Sequence, residues 1–138
     1  MQQPDSFGQQ VFSAIRNDWG KMLYSGATSF WETIRGGWDF GCAGSLCHGW
    51  SGIPVYFYGA YALGITPLEN GFKTFRVAPF GGAFDKADGT VPTPVGNIVI
   101  SWEKVGGEMI GKLVCPQSLT PVFADNIDLT KWEIILTA

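Results

Sequence analysis

The chain has 138 residues and a formal net charge of −3; hydrophobic residues make up 46% and charged ones 15%. That mix suits one domain or two small ones with a packed core, and it excludes a disordered tail. No Lys/Arg run offers the basic footprint that a nucleic-acid partner needs, and no apolar stretch reaches the length of a membrane span.

The opening stretch MQQPDSFGQQ lacks the positive charge and apolar centre of a secretory signal. Residues 8–25 carry Val11, Phe12, Ile15, Trp19, Met22 and Leu23. Steps of three, four and one place them on one helix face, and Gly26 is a natural stop. Ser29 and Glu32 match the Ser-x-x-Glu capping box, so a short second helix is predicted there, ended by Gly36 and Gly37. The four glycines of GGWDFGCAGS (36–45) and its lack of any period read as a loop. Ser45 is placed to cap another short helix through Trp50, which Pro54 breaks or restarts.

From Val55 to Leu63 apolar and tyrosine residues cover nearly every side, and Gly64 ends the run. A helix greasy all round must be surrounded. Two or three helices from this chain cover part of it, so helical partners are expected from upstream sequence, another subunit or an adjacent domain.

From Pro67 the pattern alternates. FKTFRVAPF (72–80), VGNIVISWEKV (95–105), EMIGKLVC (108–115), LTPVFAD (119–125) and KWEIILT (131–137) read as strands. Gly106 and Gly107 join two of them as a hairpin. GTVPTPVG (89–96), with two prolines, suits an edge strand or an extended connection. The fold class is therefore α+β: a helical segment over residues 1–66, then an antiparallel β-sandwich over 67–138.

Few residues can carry chemistry. Glu32 is either a catalytic carboxylate between aromatics or the capping-box glutamate, and one side chain cannot serve both. His48 is the only histidine, set in SLCHGWSG beside Trp50. It is either structural or part of a pocket. Ser45 lies one helical step from His48, but no acidic third member accompanies them. Asp39 is the carboxylate nearest Glu32 in sequence, and glycoside hydrolysis needs two carboxyls. Cys42, Cys47 and His48 fall short of four ligands at a metal-site spacing, and with three cysteines the count is odd, so neither a metal centre nor a disulfide framework is predicted.

Several blocks together are specific. DWGKMLYSGATSFWETI, GSLCHGWSGIPVYFYGAYALGITPLENGFKTFRVAPF and GTVPTPVGNIVISWE stand in that order over about residues 18–104. They resemble the C-terminal stretch of bacterial α-L-rhamnosidases, glycoside hydrolase family 78. The resemblance implies the last helices of an (α/α)6 barrel followed by a β-sandwich, and an inverting attack on terminal α-L-rhamnose. It implies that Glu32 is the general base, that His48 lines the sugar pocket and that Trp31 belongs to the pocket wall. No organic cofactor is implied. The expected partners are a rhamnose-containing glycoside or polysaccharide and the missing upstream barrel segment or another subunit.

The upstream acidic motif that supplies the general acid is absent from these 138 residues. The chain by itself is therefore expected to be inactive. Two other readings compete: a carbohydrate-binding or structural β-sandwich module, for which aromatics exposed on one sheet face would speak, and a small independent hydrolase, which would need Glu32 and Asp39 facing each other across a cleft.

Overall fold

The computed structural model describes residues 4–138. The chain forms two compact units, the first ending at Phe57 and the second running Tyr58–Ala138. No helix among the described residues is long and apolar enough to cross a membrane.

The first unit begins with helix α1 (Pro4–Tyr24). Its buried residues Phe12, Ile15 and Met22 recur at helical spacing, so one stripe faces inward. The helix ends in a Schellman motif: the Ala27 N–H donates to Met22 O and the Gly26 N–H to Leu23 O. The indole N–H of Trp19 donates to Ser51 O at 2.7 Å and ties α1 to the end of the unit. That end consists of a 3₁₀ turn at Gly49–Gly52 and helix α2 (Ile53–Phe57), with Pro54 in its first turn.

The short helices predicted from Ser29 and from Ser45 do not form. Ser29 instead donates its hydroxyl to Leu46 O, and the Glu32 carboxylate accepts from the Ser45 N–H. The Ser45 hydroxyl bonds within its own turn, to Cys47. Local capping lost to pairing between segments: residues 30–32 and 45–48 run against each other and exchange backbone bonds.

The second unit opens with a π-helical turn (Tyr58–Ala62) that ends at Gly64. Seven strands follow: β1 (Ile65–Pro67), β2 (Thr74–Val77), β3 (Lys86–Thr93), β4 (Gly96–Val105), β5 (Glu108–Pro116), β6 (Thr120–Phe123) and β7 (Trp132–Thr137). They form a three-stranded sheet, β1-β2-β6, and a four-stranded sheet, β3-β4-β5-β7. Alternation decides the faces. Phe75 and Val77 on β2, Ile98, Ile100 and Trp102 on β4, and Leu113 and Cys115 on β5 point inward. These side chains of both sheets meet in one cluster, so the sheets stack as a sandwich. The Trp102 indole N–H satisfies itself on Ala62 O at 2.8 Å.

The β4–β5 hairpin turns at Gly106 and Gly107, both at positive φ, as a two-residue primed turn requires. The proline-bearing strand β3 is an edge strand. Two pairings are parallel, β2 with β6 and β5 with β7. β6 and β7 each follow a strand of the opposite sheet, and only a tight hairpin obliges neighbours to run antiparallel. Before β7, Asp128 caps a 3₁₀ turn by accepting from the hydroxyl and the N–H of Thr130, and those bonds hold its carboxyl below the usual carboxylate range.

Burial raises the Cys115 thiol above its ordinary pKa, whereas Cys42 and Cys47 are exposed. The thiolate is the reactive form. Mass spectrometry of the native chain with iodoacetamide at neutral pH should find residues 42 and 47 alkylated quickly and residue 115 only on unfolding. Equal rates at all three would contradict the packing described.

Candidate functional site

The first unit holds every residue singled out for chemistry. After α1 the chain runs through Phe30, Trp31 and Glu32, loops through 36–44 and returns through Ser45 to His48. Three bonds clamp the two runs together. The His48 N–H donates to Phe30 O at 2.7 Å, the Glu32 N–H donates to Ser45 O at 2.9 Å, and the Ser45 N–H donates to Glu32 Oε2 at 3.1 Å. Glu32 and His48, 16 residues apart in sequence (48 − 32), thus sit on adjoining strands of backbone. Both are half-buried. His48 is extended rather than helical, and its ring meets Trp50 edge-on at 5.6 Å.

A carboxylate has about four lone-pair sites. One backbone N–H therefore leaves Glu32 capacity to accept a proton or to orient a water. A carboxylate with free lone pairs can activate water, and an imidazole next to an exposed Trp50 can hold a sugar hydroxyl.

Trp31 does something different. It lines an open cleft of about 880 Å³ together with Trp38, Ile34, Arg35, Cys42 and Leu46. Glu32 and His48 are not among the lining residues. Trp38 is a contributor that the sequence reading passes over. Its signal was an aromatic in a glycine-rich loop, GGWDFG, where it has no helix or strand to pack into.

Asp39 turns its carboxylate to Arg35, 3.2 Å away. Its carbonyl meanwhile accepts from the N–H groups of Ala43 and Gly44. Asp39 thus braces the loop, with its carboxylate engaged by Arg35. Among the described residues no group of three or more His, Cys, Asp or Glu stands close enough to hold a metal ion.

Much of the first unit's apolar surface is open. Trp38, Phe40, Trp50 and Val55 are all more than 60% exposed. Isolated exposed apolar residues are ordinary, but this many in so short a unit mark a surface made for contact.

The family described as bacterial alpha-L-rhamnosidase C-terminal domain matches residues 64–122, which do not include Glu32 or His48. Over residues 64–122 the chain is similar to that domain. An alpha-L-rhamnosidase of Formosa agariphila is 28% identical over 123 residues, a match covering 80% of this chain and 12% of that protein. The crystal structure of a family 78 rhamnosidase of Bacillus sp. GL1 superposes with a TM-score of 0.76 at 28% identity, over 96% of this chain and 15% of that one. The Streptomyces avermitilis α-L-rhamnosidase, solved with L-rhamnose, shares the fold over 78% of this chain and 11% of its own, with a TM-score of 0.66 and 23% identity.

The chain is thus similar, over most of its length, to a part of family 78 rhamnosidases. It spans 12% of the curated relative's length and 15% of the Bacillus enzyme's.

Proposed function

We propose that this chain supplies one wall of the catalytic site of an inverting α-L-rhamnosidase. Residues 1–66 are assigned to the end of an (α/α)6 barrel and residues 67–138 to the C-terminal sandwich. Glu32 is the general base, His48 binds the sugar, and Trp31, next to Glu32 in sequence, belongs to the pocket wall.

The observation that carries this reading is the clamp between residues 30–32 and 45–48, which brings the carboxylate and the imidazole to neighbouring backbone. In the reaction, a water gives one proton to Glu32 while its oxygen attacks the anomeric carbon. The glycosidic C–O bond breaks on the opposite face, and a carboxylic acid from outside this chain protonates the leaving oxygen. Inverting enzymes hold the two carboxyls about 6.5–9.5 Å apart, which leaves room for that water.

The open apolar surface of the first unit supports a partner from the rest of such an enzyme. The alternative, a carbohydrate-binding sandwich, finds less support. Among the described residues, the exposed large hydrophobics on the strands are aliphatic, such as Val99, Ile110 and Ile135, and not aromatic.

The 138-residue chain should give no turnover of a rhamnoside with an unactivated alkyl aglycone above the buffer rate, because the acid and the other walls of the pocket are assigned to segments outside it. Glu32-dependent release of rhamnose from that substrate would show that these residues suffice for hydrolysis and would sink the reading.

A further inference from the structure

We infer that the contact between Gly44 and Gly36 is a positioning device for the Glu32 carboxylate, an inference that deepens the assignment of Glu32 as the base. The Glu32–Ser45 bond has two ends, and the residue before each end is stacked on Gly36. Trp31 precedes Glu32, and its ring lies so close over Gly36 that a Cβ there would come within 2.6 Å of it. Gly44 precedes Ser45, and a Cβ on Gly44 would fall 2.0 Å from the Gly36 carbonyl oxygen. Backbone thus lies against backbone with no side chain between. That spacing sets how far the Ser45 N–H reaches toward Glu32 Oε2, at 3.1 Å.

The loop between them is held from within. The Asp39 N–H donates to Gly36 O and the Asp39 carbonyl accepts from Gly44, while Phe40, Gly41 and Cys42 are all left-handed, at φ 53°, 69° and 71°. Left-handed Phe and Cys are unfavourable, because Cβ crowds the following carbonyl oxygen. Such strain persists where the surroundings over-determine it, often at functional sites. The chemical consequence concerns the two oxygens of one carboxylate. With Oε2 engaged by the amide, Oε1 is the oxygen that takes the water's proton.

A backbone amide that donates to a carboxylate feels its ionisation. In the ¹³C,¹⁵N-labelled 138-residue chain, the Ser45 amide proton should therefore shift with pH in step with the Glu32 carboxyl carbon. The Gly37→Ala variant should keep that step, because the nearest atom to a Cβ there is 3.9 Å away. Ser45→Ala should also keep it, since the N–H remains. Gly44→Ala should lose it while the Glu32 carbon still titrates and the amides of the sandwich stay in place.

A Ser45 step that survives Gly44→Ala, or that survives Glu32→Gln, overturns the inference. So does a first unit that unfolds in Gly44→Ala but not in Gly37→Ala, since the contact would then be merely structural. The experiment involves no hydrolysis. A Glu32 later found dispensable for catalysis would sink the proposed function and leave this measurement standing.

Discussion

Glu32→Gln, placed in an enzyme that carries this chain as its C-terminal part, is expected to lower kcat on an aryl α-L-rhamnoside by about 10²–10⁴-fold, the usual worth of a positioned acid or base. KM should change little. Gln has the shape of Glu and still presents a carbonyl oxygen to the Ser45 N–H, so the clamp and the position of His48 are kept. What disappears is the capacity to take a proton from water. A loss confined to kcat is the signature of an interaction made in the transition state. Asp39→Asn serves as the control, because Asp39 is engaged with Arg35 and its own loop. It should retain most of the rate. Retention of more than a tenth of wild-type kcat by the glutamine variant would remove Glu32 from the chemistry.

Phe75→Ala should destabilise the second unit by about 3–5 kcal/mol, the range for removing a buried aromatic. Phe75 has no exposure at all and faces Ile98, Ile100 and Leu113 in the cluster between the sheets. It sits on β2, the central strand of its sheet, so neither neighbour can collapse freely into the space. Urea denaturation followed by circular dichroism would read the change as a lower midpoint with a similar slope. A loss under about 1 kcal/mol would mean that the two sheets do not share one core. Arg76→Ala, one residue on and exposed, should change the midpoint little.

The sandwich was legible because its signal is local and periodic. Ile98, Ile100 and Trp102 recur at every second position, and Gly106-Gly107 announces its turn. Which strands pair over distance was not legible: nothing in TPVF or WEIILT says that each lies parallel to an earlier strand. β1 was missed because three residues hold no period. In the first unit the sequence named candidate residues and predicted the wrong local structure around them. Ser29 and Glu32 carry a helix-start pattern, yet Gly36 and Gly37 leave no room for the helix it would begin. The bonds went across to Leu46 and Ser45 instead, through backbone groups that every residue possesses and no motif advertises. The Arg35–Asp39 pair shows the same limit, since only the fold reveals that Asp39 is already engaged.

The parallel pairings also bear on the order of events during folding. The β4–β5 hairpin closes over two residues and can assemble on the microsecond scale. The three-stranded sheet cannot, because Thr74 must wait for Thr120, and β7 must find β5 after β6 has joined the opposite layer. Sheets assembled from such distant partners fold slowly for their size. During that wait β2 and β5 each present an unsatisfied edge, and that interval is when this polypeptide is most open to aggregation.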